Sequence, residues 1–182
     1  MFHHSNLSFR EKLRTRNENA TEFIVIHHTR VSGHSSVQEV HQWHLNRRSA
    51  GKPWAGIGYH YYIDREGEVF DGRPVDSVGA HAADETHNYN PVSVGVCFDG
   101  DFNKQKITDR QLNASVMLIS LLSLAYGDIP LRKHESLIPG RCCPGSLFPF
   151  DRLVREVEAC KRQLKTLFGD RRHVYRTLID LL

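Results

Sequence analysis

Cysteine is scarce in this chain, four in 182 residues, and the four do not make a disulfide framework. Cys97 sits in an apolar run and Cys160 on a helical pattern, where each reads as a small core residue. Cys142 and Cys143 are adjacent, and bridging neighbours closes a strained ring. Long apolar runs are also missing. The first 19 residues, Met1 to Asn19, are polar and charged, so neither a secretory signal nor a membrane-spanning helix is expected. A chain that starts here stays in the cytosol at synthesis, with reduced thiols available to a metal. A charge excess is lacking too: 24 Lys and Arg stand against 21 Asp and Glu, a net +3. That balance excludes a strongly basic nucleic-acid binder and is mildly suited to an acidic polymer such as a bacterial cell wall. Repeats and low-complexity tracts are absent. The length fits one domain with a sizeable core.

What is present alternates strand and helix signals. Residues 1–20 form an arm, with only Phe2, Leu7, Phe9 and Leu13 available to dock it. Phe23 to His28 is a short β-rich run that ends in two histidines. Ser36-Val37-Gln38-Glu39 is a capping box, opening a helix with Val40, Trp43 and Leu45 that runs to about Arg48. Ile57 to Ile63 is aromatic and β-prone, and the Asp64-Arg65-Glu66-Gly67 turn returns it as Glu68-Val69-Phe70, a hairpin. Val92 to Phe98 is a further buried strand, reached through the polar loop 81–91, so the sheet is mixed. Thr108-Asp109-Arg110-Gln111 caps a strongly apolar helix through Leu124. A third helix, Phe150 to Phe168, carries Leu153, Val157, Cys160, Leu164 and Leu167 at helical spacing and stops at Gly169. Val174, Leu178 and Leu181 then suggest a short amphipathic tail helix. The expected fold is α/β: one domain over 21–168 with a central mixed sheet and about three flanking helices, an arm before it and a tail over 169–182.

The chemistry concentrates in Lys133-His134-Glu135-Ser136-Leu137-Ile138-Pro139-Gly140-Arg141-Cys142-Cys143-Pro144-Gly145, where a histidine and thiols meet a Pro-Gly turn. His27 and His28, at the end of a buried strand far upstream, offer a third ligand. Two His and one Cys around Zn²⁺, with the fourth position open to water, is a recognised catalytic set. On the residues alone, His27 competes with His28 and Cys142 with Cys143. Glu135 reads as solvent-facing.

At these residues the chain resembles the zinc-dependent N-acetylmuramoyl-L-alanine amidases of the amidase-2 group, a superfamily that includes some phage lysozymes, the peptidoglycan recognition proteins and cytosolic wall-recycling amidases. The matching blocks are Ile24-Val25-Ile26-His27-His28-Thr29, Trp43-His44, Ile57-Gly58-Tyr59-His60-Tyr61, Gly79-Ala80-His81-Ala82, Asn90 with Ser93-Val94-Gly95-Val96, and His134 with Cys143-Pro144-Gly145. They fall in family order over roughly residues 20 to 160. The resemblance implies an amidase-like fold, one Zn²⁺ per chain held by His27, His134 and Cys143, and Tyr59 beside it. It implies hydrolysis of the bond between the lactyl group of N-acetylmuramic acid and L-alanine in peptidoglycan, in a phage or prophage endolysin or an autolysin.

Arg141 departs from the Lys or Thr often found at its position. As a fixed cation it can meet an oxyanion but cannot relay a proton. Tyr59 and Arg141 are thus the expected catalytic pair, with His28, His60, His81 and Asn90 around the substrate and Tyr59, His60 and His81 as candidate donors to the leaving amine. The expected partner is peptidoglycan or its muropeptides, met by a monomer that binds neither nucleic acid nor membrane and acts on the wall after release from the cytosol. The runner-up is a non-catalytic peptidoglycan-binding module, which loses the ligand before Pro-Gly. Cys143 argues against it, as it does against the recycling amidases, which carry Asp there.

Overall fold

A computed structural model describes residues 1–49 and 51–181. Eight strands and five α-helices follow in chain order: β1 Phe2–His3, β2 Phe23–His28, α1 Val37–Leu45, β3 Arg48–Ser49, β4 Lys52–Pro53, β5 Tyr61–Ile63, β6 Val69–Asp71, β7 Ser93–Phe98, α2 Asp109–Ala125, β8 Leu131–Lys133, α3 His134–Leu137, α4 Phe150–Phe168 and α5 Arg172–Asp180. The main sheet has the order β1-β6-β5-β7-β2-β8, and β3 and β4 form a separate small hairpin. Only β5 and β6 are antiparallel within the main sheet; the other pairings are parallel. The sheet is mixed, as the sequence indicates.

Alternation along β2 and β7 sorts their side chains onto two faces. Ile24, Ile26, Val94, Val96 and Phe98 join Tyr61 and Ile63 in the larger core, with Leu112, Leu118, Leu122, Leu153 and Val157 of α2 and α4. Both faces of the central strands are covered, and every residue of β2 and β7 is buried, as parallel strands require. On the other face Cys97 and Tyr62 pack with Ile57 and with Val37 and Val40 of α1. His27 belongs to this second face and His28 to the first.

Local signals set the helix ends. Ser36 and Thr108 each accept the backbone N–H three residues on, while Glu39 and Gln111 reach back to complete both capping boxes. Gly169, at φ 68°, ends α4. Helix α1 stops at Leu45, three residues short of the sequence expectation, because Arg48 enters the β3–β4 hairpin. Helix α5 buries Tyr175 and Ile179, with Leu178 partly covered. This corrects the expected tail face: Leu181 is 75% exposed, while Leu182 lies outside the described residues. No helix among the described residues is long and apolar enough to cross a membrane.

The N-terminal arm lies along the sheet. Phe2 and His3 pair with Val69 and Phe70, the Met1 ammonium sits 3.0 Å from Glu68, and Ser5 N–H donates to Asp71 at 2.6 Å. Phe2 packs on the larger core, and Leu7 and Phe9 on the smaller. Buried Arg16 donates to the Ser93 carbonyl at 2.8 Å, tying the arm to the start of β7.

Between α1 and β5 the chain passes through Ile57, Gly58, Tyr59 and His60 with little room to spare. A Cβ on Gly58 would lie 2.0 Å from the Ala80 carbonyl oxygen, a backbone atom that cannot step aside. Gly58→Ala should therefore destabilise the fold by about 1–3 kcal/mol through overpacking and lower Tm, whereas Gly33→Ala, with nothing within 4 Å, should not. Thermal unfolding of the two variants checks this; an unchanged Tm in Gly58→Ala would contradict the packing described.

Candidate metal centre and active site

Two adjacent parallel strands deliver the first two site residues. In the pairing of β2 with β8, Ile26 lies opposite Lys133, so the next residues, His27 and His134, emerge side by side. Their ring centroids are 4.5 Å apart. Sites in parallel sheets commonly form beyond the C-terminal strand ends. His134 also opens the single turn of α3, and the loop after it returns Cys143 to the same place: the Cys143 carbonyl accepts from Glu135 N–H at 2.9 Å. Cys143 Sγ lies 3.7 Å from His27 Nδ1 and accepts from His28 N–H at 3.2 Å. One nitrogen from each of His27 and His134 and the Cys143 sulfur all lie within 4.8 Å of one another.

The electrostatics suit a cation. Burial first, then the neighbouring His134 and His81, hold His27 well below the ordinary histidine range. Burial and the Arg141 charge lower His134 to about 4. Both imidazoles are neutral at pH 7, with lone pairs to give. Burial pushes the Cys143 thiol up to about 12, against the opposing pull of the His28 N–H. A thiol in that state becomes a thiolate ligand only when a metal displaces its proton. His134 Nε2 is buried without a hydrogen-bond partner, a cost that metal ligation would remove.

Tyr59 stands at the edge of this triad, its ring 5.1 Å from His27 and 5.3 Å from His44. Burial, with the Cys97 and Cys143 thiols beside it, raises the phenol well above its ordinary value, so it remains a hydrogen-bond donor. Its placement depends on His41, which the sequence does not single out, and on His44, which lies in a matching block without an assigned role. His41 Nδ1 accepts from Ile57 N–H at 3.2 Å, and His44 Nδ1 from Gly58 N–H at 2.9 Å. These residues, three positions apart along α1, clamp the segment that carries Tyr59. The spacing of three on an amphipathic helix was the available signal. Arg141 is exposed on the loop between His134 and Cys143, close enough for its charge to lower the values of both.

The four residues expected around the substrate are placed differently from one another. His28 is turned to the opposite face, where its Nδ1 accepts from Phe102 N–H at 3.1 Å and its ring stacks on Phe102; alternation along the strand separates it from the triad. His60 is a buried brace: Nδ1 accepts from Gly95 N–H at 2.9 Å and Nε2 donates to the Ser77 carbonyl at 3.0 Å, so neither nitrogen is left for a substrate or a proton transfer. Asn90 Oδ1 accepts from His81 N–H and Ala82 N–H, both at 2.8 Å, and so shapes the loop. His81 is buried behind the triad, its Nδ1 3.0 Å from His27 Nε2. Cys142, the rival to Cys143, is exposed, with Asn103 Nδ2 3.8 Å from its sulfur. Glu135 pairs with Lys133 at 3.5 Å, at the surface as expected.

A mixed, mostly parallel sheet with two imidazoles and a thiol converging at its strand ends is a candidate metal centre. Comparison with known proteins places it further. Residues 17–146 match the family model described as N-acetylmuramoyl-L-alanine amidase, and the chain belongs to that family. The endolysin of Klebsiella phage KP32 is 31% identical over 132 residues, 70% of this chain and 82% of that protein. The endolysin of Escherichia phage T7 is 32% identical over 130 residues, 68% and 80% of the respective chains. Among solved structures, the N-acetylmuramoyl-L-alanine amidase LysC from Clostridium intestinale superposes with a TM-score of 0.75 at 29% identity, covering 87% of this chain and 97% of that one. The amidase fold and activity expected from the sequence motifs are thus shown.

The buried histidines around Tyr59 carry a pH consequence. Burial lowers His44 and His60 to about 3, against 6.5 in an unfolded chain. Below pH 6.5 the unfolded state takes up protons that the folded state refuses, so stability present above that pH is lost as pH falls towards 3. Tm should therefore drop steeply between pH 6.5 and 4. His60→Asn, measured by calorimetry across that window, should flatten the slope, and a slope equal to wild type would contradict the assignment.

Proposed function

We propose that this amidase is a zinc hydrolase that cuts the amide between the lactyl group of N-acetylmuramic acid and L-alanine in peptidoglycan, and that it serves as a phage or prophage endolysin. The observation that carries the metal reading is the convergence of His27, His134 and Cys143 donor atoms within 4.8 Å. Zn²⁺ fits this borderline-soft set of two imidazoles and a thiolate, and three protein ligands leave one position open. When bound, zinc supplies a Lewis acid and a water acidified to near neutrality. The similarity to phage endolysins over about 80% of their length supports the biological setting.

The chain's own residues complete the chemistry. Tyr59, held protonated beside His27, donates a hydrogen bond to the amide carbonyl oxygen and strengthens it as charge develops there. Arg141, a permanent cation on the loop two residues before Cys143, meets the same charge without exchanging a proton. His60, with both nitrogens engaged, takes no part in proton transfer. Of the candidate donors, Tyr59 is the one beside the triad with a hydroxyl to offer the carbonyl oxygen; the proton taken up by the leaving amine is balanced by the attacking water. The reading favours muropeptide as the partner because the family's activity requires one.

Purified protein should hold one zinc per chain. Cys143→Ser should lose both metal and activity, while Cys142→Ser, altering an exposed thiol, should keep both; the reverse pattern would place the ligand one residue earlier. Tyr59→Phe should retain zinc but turn over a defined muropeptide on the order of a hundredfold more slowly, the cost of a lost oxyanion donor. Arg141→Ala should show a smaller kcat loss, reflecting its exposure, and Arg141→Lys should recover part of it. Full kcat in both Tyr59→Phe and Arg141→Ala would show that metal and water act without them.

A further inference from the structure

His81 has a built place behind the metal site. Its ring fits where two glycines leave space: a Cβ on Gly79 would lie 2.4 Å from His81 Cδ2, and one on Gly95 would lie 2.7 Å from His81 Cγ. Asn90 Oδ1 fixes the backbone that carries it, accepting from the N–H groups of His81 and Ala82 at 2.8 Å each. The ring is buried and meets His27 edge to face, with centroids 5.0 Å apart. The polar contact at that edge is His81 Nδ1 to His27 Nε2, 3.0 Å. His27 therefore presents Nδ1 towards Cys143 and Nε2 towards His81.

The direction of that hydrogen bond decides whether His27 can ligate. A neutral imidazole carries one N–H. If His81 Nδ1 donated, the His27 proton would sit on Nδ1, aimed at the Cys143 sulfur, and would block the lone pair needed for a metal. If His81 Nδ1 accepts, His27 carries its proton on Nε2 and leaves Nδ1 open. We propose that His81 is a positioning residue for the metal site: an acceptor that selects the Nε2–H tautomer of His27 and orients its Nδ1 lone pair into the triad. The inference rests on the zinc reading above and replaces the expected substrate contact of His81. Groups that orient a ligating histidine through its second nitrogen typically affect metal affinity by about 10–100-fold.

The test compares His81→Leu with His81→Asn, two side chains of nearly equal shape, only one of which has an acceptor where Nδ1 lay. Zinc affinity is measured by chelator competition on proteins whose zinc-free thermal stability is recorded in parallel. His81→Leu should bind zinc about 10–100-fold more weakly than wild type, and His81→Asn should recover part of that loss at similar zinc-free stability. Equal zinc affinity in His81→Leu and wild type would overturn the proposal. If His81→Leu does not fold, long-range ¹H–¹⁵N spectra of the zinc-loaded wild type decide: His27 should be protonated at Nε2 and His81 unprotonated at Nδ1, and a proton on His81 Nδ1 would overturn the proposal. A wild-type protein that binds no zinc would instead defeat the metal reading itself, and the proposal with it.

Discussion

The pairing of β2 between β7 and β8 is the constraint on which the site depends. Because all three strands run parallel, their C-terminal ends open at one edge, and the register of Ile26 with Lys133 sets His27 beside His134. A slip of one residue would exchange the faces of His27 and His28 and send the wrong imidazole to the site. That register is held by the apolar side chains beneath it: Ile24, Ile26, Val94 and Val96 all face α2 and α4 and are fully buried. The position of a candidate metal ligand is thus fixed by the hydrophobic core on the other side of the same strand.

Around the triad the fold gathers histidines for purposes other than ligation. His41 and His44 hold the backbone before Tyr59, His60 joins β7 to the Ser77 turn, and His28 caps the Phe102 N–H. Each gives a neutral ring nitrogen to a buried N–H that has no strand partner there, which satisfies the backbone. Burial keeps these rings uncharged, so the histidines themselves add no positive charge around the triad. Arg141 brings a permanent cation to the loop between His134 and Cys143, and it lies outside the buried layer. The arrangement is a layer of neutral imidazoles with the Arg141 cation at its rim.

Much of this was legible in the sequence, for identifiable reasons. The two capping boxes and Gly169 are local signals, and they marked the starts of α1 and α2 and the end of α4 without tertiary information. The candidate ligands were legible because His134 and the Cys142-Cys143 pair flank a Pro-Gly turn and an apolar strand ends in His27-His28; the choice of His27 and Cys143 within those pairs came from the resemblance. What escaped depends on contacts distant in sequence. Strand β8 is three residues long, too short for any periodicity, and is a strand only because β2 lies beside it. The two-residue β1 is a strand only because β6 offers an edge. Of the apolar residues that marked α5, Leu178 packs on the core and Val174 is half-buried, but Leu181 is exposed, because contact with α2 centres the buried face on Tyr175 and Ile179. His28, His60 and Asn90 sit in the same set of sequence blocks as the triad, but alternation along β2 turns His28 to the opposite face, and His60 and Asn90 are engaged by backbone groups of other segments.

The central claim is that two imidazoles and one thiolate from three distant segments hold a single zinc with one position left open. X-ray absorption at the zinc edge of the loaded protein tests it most directly. The account predicts one sulfur scatterer at about 2.3 Å and three nitrogen or oxygen scatterers at about 2.0–2.1 Å, two of them with the multiple-scattering pattern of imidazole. A zinc shell without sulfur, or one with two sulfurs from Cys142 and Cys143 together, would contradict it.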